Sequence, residues 1–303
     1  MKSPLRYLAD SAATAALAFA ANACVAADLF VQINQASALG APDFPCVGGG
    51  SLTGSRFVFP ATISLSGSCA DSFGSSLSSA YATPGGLGVL AKAVSNSGVT
   101  LPEVGGGTAN FDGTVTIASS DPLATTTVLR MRIHFGGTIG SIGDSAATQV
   151  NLSLRLNGVL NGLLINESLG NGPTGLTCAE TGMSGTGLCN GLTRPGTLDT
   201  TLTTVPVRVP LNVPFPIGFT MTVSAGVGLI GSAEADFSNT LRFVSGEDVF
   251  LVDPGISVNA PDLGIENNRY TPLPVPEPAS AATLLAGLMA LVLLRRARRA
   301  SRY

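Results

Sequence analysis

Several segments of this 303-residue chain alternate apolar and polar residues with a period of two, and no other feature limits the fold as strongly. The clearest is Thr125–Phe135, in which every second residue from Leu129 onwards is apolar. Successive side chains of a β-strand point to opposite faces, so this pattern places one face of each segment in a core. The same pattern predicts strands at 56–66, 150–156, 200–209, 215–227, 233–237, 241–244 and 249–252, and weaker strands at 86–94 and 114–118.

Turn-forming sequences separate the predicted strands. Asn-Gly at 157–158 and 161–162 supplies the positive φ angles of tight hairpin turns, and glycine clusters at 48–50, 84–86 and 105–107 predict further turns. The stretch Asn166–Gly196 predicts one long loop. Prolines at 206, 210, 214 and 216 each remove a ladder donor and predict edge strands or a crossover. Together these patterns predict an all-β fold, an antiparallel β-sandwich or jelly-roll-like domain.

The first 27 residues have the organisation of a signal peptide. Lys2 and Arg6 form a basic region, and Ala12–Ala21 is an apolar segment of the length that signal helices have. Small residues follow, so cleavage after Ala26 or Ala27 is expected. Cys24 raises the alternative of a lipoprotein, which we do not favour because the usual Leu three residues before the cysteine is missing. The sequence therefore predicts export of the chain.

The C-terminal residues 275–303 form a second targeting segment. Val-Pro-Glu-Pro at 275–278 is followed by Ala279–Leu294, which carries no charge, and by a basic tail at 295–303. A helix of this length spans about 24 Å, so it approaches the ~30 Å hydrocarbon core and predicts a single transmembrane helix. Arginines after the span predict a cytoplasmic C-terminus by the positive-inside rule. The residues that fix this orientation are Arg295, Arg296, Arg298 and Arg299.

In its order of parts the C-terminal segment resembles the PEP-CTERM sorting domain of Gram-negative bacteria that produce exopolysaccharide. Pro276, Glu277 and Pro278 match the short motif, and the apolar span and arginine cluster match the two other parts. The stretch Ala235–Thr240 is similar to an ADFSNT stretch found upstream of the tail in such proteins. The resemblance implies that exosortase is the processing partner. It also implies that the domain is anchored before processing and then reaches the cell surface or extracellular matrix; a simple tail anchor without processing is the alternative.

Charge limits the partners of the exported part, residues 28–274. It carries nine Lys and Arg against 17 Asp and Glu, which gives a net charge of about −8, whereas the whole chain has −3 because both ends are basic. Nucleic acids and anionic lipids are bound by basic surfaces. The sequence therefore predicts no nucleic-acid partner.

Four cysteines in an exported domain predict two disulfides. They are Cys46, Cys69, Cys178 and Cys189, and three connectivities are open. We favour pairing of neighbours, Cys46 with Cys69 and Cys178 with Cys189, because each pair encloses a Gly/Ser-rich segment with little means of packing itself. Metal binding is the rival interpretation, but the spacings are too wide for a zinc knuckle. We expect no metal and no cofactor.

Catalytic signatures are scarce in the sequence. His134 is the single histidine, and the predicted strand places it with Arg130 and Arg132 on the face opposite the apolar one, which is typical of a solvent-facing side chain. No nucleophile-elbow or phosphate-binding sequence accompanies the glycines. The acidic groups at 234 and 236 and at 247, 248 and 253 are solvated loops in the interpretation we favour, with Ca²⁺ binding as the alternative. We predict no catalytic residues.

Three classes of function remain. The one we favour is an exported surface or matrix protein with a structural or adhesive role and no catalysis. The second is a carbohydrate-binding β-sandwich whose partner is the cell's own exopolysaccharide, and the third is a secreted polysaccharide hydrolase with an Asp/Glu pair from distant positions. Sugar rings usually stack on Trp or Tyr; the chain has no Trp, and residues 28–274 contain only Tyr81 and Tyr270, which weakens the second class.

Overall fold

Strands dominate the computed structural model, which describes residues 26–36, 50–58, 62–70, 73–96, 103–156, 163–173, 175–181 and 196–271. These residues contain eighteen strands and one 3₁₀ turn at Pro261–Leu263, and no α-helix is found among them. The predicted all-β class is therefore confirmed for the described part. The strands are β1 Ala26–Ala36, β2 Gly50–Val58, β3 Ile63–Ala70, β4 Gly74–Thr83, β5 Gly86–Ser95, β6 Glu103–Ser119, β7 Thr126–Ile142, β8 Ala146–Leu156, β9 Leu163–Gly172, β10 Gly175–Thr181, β11 Thr197–Thr203, β12 Val207–Pro210, β13 Phe215–Val227, β14 Gly231–Phe243, β15 Phe250–Leu251, β16 Ile256–Asn259, β17 Ile265–Glu266 and β18 Arg269–Tyr270.

Two large antiparallel sheets form a β-sandwich. The first sheet has the order β10-β9-β8-β13-β6-β1-β2, and β16 also pairs with β6. The second has the order β11-β7-β14-β5-β4-β3, and β12 and β15 also pair with β7. All of these strand pairs are antiparallel, as the sequence predicts.

The core lies between the inner faces of the two sheets, and the predicted alternation accounts for it. In β7 the residues Leu129, Met131, Ile133 and Phe135 are all at most 2 % exposed, whereas the arginines between them face outward. Aromatic rings from both sheets meet in this core, where edge-to-face and tilted contacts add to the stabilisation from burial. The ring pairs are Phe111–Phe219, Phe111–Phe243, Phe219–Phe243 and Phe135–Phe237.

The predicted strand at 56–66 is wrong as a single element. β2 ends at Val58 in the first sheet, and β3 begins at Ile63 in the second sheet. Pro60 lies between them and has no N–H for a ladder, so a continuous strand through it is disfavoured. The single predicted strand is therefore two strands that belong to different sheets.

The glycine cluster at 105–107 was predicted as a turn, and it lies instead inside β6. A Cβ on Gly105 would approach the carbonyl oxygens of Lys92 and Leu77 in the second sheet to 2.7 and 2.9 Å. These contacts are too short for a real Cβ. Glycine is therefore required here for close approach of the two backbones rather than for a change of chain direction.

The long loop predicted at 166–196 is also corrected in part. β9 and β10 form an antiparallel hairpin within it, with Gly175 paired with Gly172, and residues 182–195 lie outside the described part. Near the prolines, β11 and β12 are separate strands on the edge of β7, as expected for Pro206. β13, however, is a central strand although it contains Pro216, which is possible because pairing with β8 begins only at Ile217.

The segment after β14 packs on both sheets. β15 pairs with β7, β16 pairs with β6, and the Tyr270 hydroxyl donates a hydrogen bond to the carbonyl oxygen of Pro84 at 3.3 Å. The 3₁₀ turn buries Asp262, whose Oδ2 accepts a hydrogen bond from the Thr114 N–H at 2.6 Å. This segment therefore contacts β6 of the first sheet and β7 of the second sheet.

Candidate functional site

The predicted sorting residues lie outside the described part of the chain. These are Pro276, Glu277 and Pro278 of the motif and Arg295, Arg296, Arg298 and Arg299 of the tail. The predicted signal peptide is likewise outside, apart from Ala26 and Ala27, with which β1 begins. Within the described ranges, no helix has the length and apolar character needed to cross a membrane.

Two of the four predicted disulfide cysteines fall in described strands. Cys69 is buried in β3, Cys178 packs against the core from β10, and both are disulfide-bonded. Cys46 and Cys189 lie outside the described residues, so the connectivity stays a prediction. The two described cysteines belong to different sheets, at β3 and β10, which are edge strands in the order of each sheet.

His134 forms a pair with an acid on the outer side of the second sheet. Its Nε2 lies 2.8 Å from Oδ1 of Asp199, whose side chain is 78 % exposed. Its buried Nδ1 has no hydrogen-bond partner. In a catalytic triad the acid is buried and the other imidazole nitrogen contacts a nucleophile. No described hydroxyl or thiol takes that position, so the arrangement fits a surface pair.

The acidic groups considered for Ca²⁺ have other partners. Glu234 forms an ion pair with Lys92 at 3.0 Å, and Asp236 accepts hydrogen bonds from both the N–H and the hydroxyl of Ser238. Glu247 forms an ion pair with Arg132 at 2.5 Å. Among the described residues no cluster of three or more His, Cys, Asp or Glu side chains is arranged to hold a metal ion.

An open cleft of about 640 Å³ lies beside the end of β7 and the β9–β10 hairpin. Its described lining includes Ile142, Asn171, Leu176 and Glu234. Glu234 is the one ionisable residue of that described lining, and it already pairs with Lys92. The cleft therefore offers space without a convergent set of reactive groups.

The outer side of the first sheet carries an organised set of polar side chains. Residues that are directly paired across antiparallel strands point to the same side, so β8, β13, β6 and β1 align their outward residues in rows. We call this set the polar face. Its rows are Gln149–Ser224–Gly106, Asn151–Thr222–Thr108–Gln32, Ser153–Thr220–Asn110–Phe30 and Arg155–Gly218–Asp112–Asp28.

Hydrogen bonds connect the side chains of the polar face to one another. The hydroxyls of Thr108 and Thr222 are 3.1 Å apart, and the Thr220 hydroxyl donates to Oδ1 of Asn110 at 3.2 Å. Nδ2 of Asn110 then donates to Oδ2 of Asp112 at 3.0 Å. Such bonds hold the short side chains in fixed positions while leaving part of their surface accessible to solvent.

Asp112 and Arg155 approach each other across Gly218. Nη2 of Arg155 lies 4.0 Å from Oδ1 of Asp112, and both side chains are partly exposed. A Cβ at position 218 would overlap Oδ1 of Asp112, so only glycine leaves room for the carboxylate between the strands. Gly218 therefore allows the side chains of Asp112 and Arg155 to approach each other across the strand that lies between them.

Phe30 provides an aromatic ring on the polar face. It lies in β1 opposite Asn110, is partly exposed, and has Leu29 and Val31 as buried neighbours in the chain. The sequence analysis did not assign β1 and therefore missed this residue. The alternation of Leu29, Val31 and Ile33 with Phe30 and Gln32 is the signal that identifies the strand.

Comparisons with known proteins give no relative: no family model, curated protein or solved structure matches the chain. The case for a function therefore depends on the residues of this chain alone.

Proposed function

We propose that this protein is an exported cell-surface or exopolysaccharide-matrix protein that exosortase sorts through residues 275–303, and that its β-sandwich has a structural or adhesive role without catalysis. The observation that carries the proposal is the order of parts at the C-terminus. A Pro-Glu-Pro motif, a 16-residue span without charge and an arginine cluster follow one another in 29 residues. Localisation follows from this order: export, C-terminal anchoring, and then transfer to the surface or matrix.

Features of the described domain support this proposal. The disulfide bonds of Cys69 and Cys178 suit an oxidising compartment outside the cytoplasm. A sandwich with a continuous core and two broad outer faces is a common form of adhesive and structural domains, although fold alone does not specify function. Lys92 and Arg132 form ion pairs with acids at the surface, and His134 lies within hydrogen-bond distance of Asp199, as in a structural domain.

The mechanism of sorting follows from the chemistry of the tail. Pro276 and Pro278 lack backbone donors and disfavour helix immediately before the span. They keep the motif extended at the membrane surface, where a protease can bind it, and Glu277 supplies a charge for recognition. The arginines hold the C-terminus in the cytoplasm, so the motif faces the outside. Cleavage near the motif then passes the domain on to the cell surface or the polysaccharide matrix.

A processing experiment tests the proposal. Glu277→Ala, or deletion of residues 295–303, should leave unprocessed precursor in the membrane fraction, whereas the matched change Glu266→Ala, at an exposed residue of β17, should not. The measurement is the mass of the C-terminus of the surface-exposed form, in cells with and without exosortase. An intact Tyr303 in both strains would contradict processing and leave a plain tail anchor.

Carbohydrate binding is the second candidate function, and the polar face favours it. Hydroxyl and amide side chains arranged in rows on a sheet, beside a partly exposed ring, offer the contacts that sugars make with proteins. Such binding is compatible with sorting to the matrix, because it would hold the domain on the polysaccharide there.

A further inference from the structure

We infer that the polar face binds a linear, uncharged polysaccharide, with Phe30 as the stacking residue and the row Ser153–Thr220–Asn110 as the central hydrogen-bonding row. The inference rests on the second candidate function and names its surface and its ligand class. It does not depend on how the protein is sorted.

The charge of the polar face selects the kind of ligand. Among its fifteen described residues only Asp28, Asp112 and Arg155 are ionisable, and Arg155 lies 4.0 Å from Asp112. Two carboxylates and one guanidinium give the face a net charge of only −1, and most of its other side chains are hydroxyls and amides. Such a surface matches a polymer that is itself uncharged and rich in hydroxyl groups.

The geometry of the polar face suits an extended chain. Side chains repeat at roughly 4.8 Å from strand to strand and roughly 6.8 Å along a strand, which gives a regular array of donors and acceptors. The Ser, Thr, Asn and Asp side chains of the face are short, and four of them are held by the Thr108–Thr222 and Thr220–Asn110 hydrogen bonds. Ordering them on binding therefore costs little conformational entropy. The outward residues of four neighbouring strands are aligned in rows, so a polymer can lie across several strands.

Phe30 supplies the apolar contact that the sequence analysis expected to be missing. Its ring lies in the same row as Asn110 and Thr220, so a sugar stacked on the ring has amide and hydroxyl groups beside it. Stacking of a sugar requires an accessible aromatic face rather than a polar tip, and phenylalanine provides one. The absence of Trp therefore does not exclude a sugar surface in this chain.

Other occupants match the polar face less well. A protein partner or a second copy of the chain needs several large apolar side chains at the centre of its interface, and the described rows contain one, Phe30. An acidic polymer needs several exposed cations. The polar face has one, Arg155, which lies 4.0 Å from Asp112, whereas Arg130, Arg208 and Arg242 are on the outer side of the second sheet. Binding of an acidic polymer alone would therefore point to that other surface.

The test uses the purified full-length chain in a polyoxyethylene detergent, which contains no sugar. Immobilised dextran, hydroxyethyl cellulose and the neutral fraction of the polysaccharide from the producing cells serve as uncharged ligands, and polygalacturonate as the acidic one. Association constants are measured at low and at high salt. We expect binding to at least one uncharged polymer with an affinity that salt changes little, because no charges are screened.

Two pairs of variants separate the polar face from the rest of the surface. Thr108→Val/Thr222→Val removes two hydroxyls at nearly constant shape, and the matched control Thr138→Val/Thr197→Val does the same to a cross-strand pair on the outer side of the second sheet. Phe30→Ala is compared with Leu251→Ala, since Leu251 is 40 % exposed on the other sheet. We expect about a fivefold loss for the first threonine pair and about a tenfold loss for Phe30→Ala, with no change in either control.

The outcomes decide between the inference and its rivals. Failure to bind any of the three uncharged polymers, binding to polygalacturonate only, or equal losses in both threonine pairs would each overturn it. Thermal unfolding of every variant is measured beside binding, and if Phe30→Ala fails to fold, the isosteric threonine pair decides. If the protein binds none of these polymers but its tail is processed normally, only the inference about the polar face is refuted. If Tyr303 is intact on the surface-exposed form in both strains, only the sorting proposal is refuted.

Discussion

The side-chain amide of Asn268 satisfies both backbone polar groups of Phe250. Its Oδ1 accepts a hydrogen bond from the Phe250 N–H at 2.8 Å, and its Nδ2 donates to the Phe250 carbonyl oxygen at 2.7 Å. Asn267 and Asn268 have φ values of 48° and 65°, which belong to the left-handed region that asparagine tolerates better than other non-glycine residues. Asn268 thus takes part in the β17–β18 turn and also forms hydrogen bonds with β15.

Asn268→Ala should therefore destabilise the protein by about 2–4 kcal/mol, because two buried backbone groups lose their partners and alanine is strained at positive φ. Asn267→Ala shares the backbone strain but not the amide contacts, so it is the matched control. The midpoint of urea unfolding measures both. A loss for Asn268→Ala no greater than that for Asn267→Ala would contradict the assigned role of the amide.

Two glycines of β7 should respond oppositely to the same change. A Cβ on Gly137 would lie 2.5 Å from Cδ1 of Phe237 and 2.7 Å from the carbonyl oxygen of Asp236, whereas a Cβ on Gly140 meets no atom within 4 Å. Gly137→Ala should cost about 1–3 kcal/mol through overpacking. Gly140→Ala should be neutral, or stabilising by up to about 1 kcal/mol, because it reduces the entropy of the unfolded chain. Equal unfolding midpoints for the two variants would be inconsistent with this packing.

The buried carboxyl of Asp262 should make stability depend on pH. Burial raises its pKa above the ordinary value of 3.8, and hydrogen bonds from the backbone N–H groups of Thr114, Asp262 and Leu263 oppose part of that rise. The folded state then binds the proton more tightly than the unfolded state does. The stabilisation from this group is complete below the unfolded pKa and is lost as the pH rises through the folded pKa.

Asp262→Asn removes this titration while keeping an oxygen acceptor for the Thr114 N–H. The free energy of unfolding of the variant relative to wild type should therefore increase between about pH 3 and about pH 7. Asp144→Asn, which changes an exposed carboxylate in the turn between β7 and β8, is the control and should show no comparable increase. A constant difference for Asp262→Asn across this pH range would show that the carboxyl does not titrate as argued.

Peptide mapping without reduction should find Cys46 linked to Cys69 and Cys178 linked to Cys189. Closing each loop should contribute about 3 kcal/mol. Cys69→Ser and Cys178→Ser should therefore lower the unfolding midpoint, as reduction of the wild type should. More than one free thiol per mature chain would contradict two disulfides, and a peptide joining Cys69 to Cys178 would contradict the favoured connectivity.

Hydrophobic alternation predicted the strands whose inward residues are large. β13 was predicted with the same bounds that the structure has, and the four inward residues of β7 from Leu129 to Phe135 were identified. β4 was missed because its inward residues include Ser76, Ser78 and Ala80, which resemble the outward ones in size and polarity. A period-two pattern is visible in sequence only when the two faces differ in hydrophobicity.

The polar face could not be predicted from local sequence, even though each of its residues occupies the outward position of a strand. Its rows depend on the order of strands in the sheet. Thr108 and Thr222 are 114 positions apart in the chain, and their hydroxyls lie 3.1 Å from each other. Periodicity indicates which side of a strand is polar, but it does not indicate which strands are neighbours.

The order of the first sheet has a consequence for how the chain folds as its strands become available one after another. β13 joins β8 on one side and β6 on the other, and it comes after every other strand of that sheet except β16. Until residues 215–227 are available for pairing, β10-β9-β8 and β6-β1-β2 have no common neighbour, and β6 and β8 each present an unpaired edge. Pairing over such long sequence separations is slow, and exposed edges aggregate. The two half-sheets are therefore the aggregation-prone intermediates that this topology predicts, and the first sheet closes only when one late strand arrives between them.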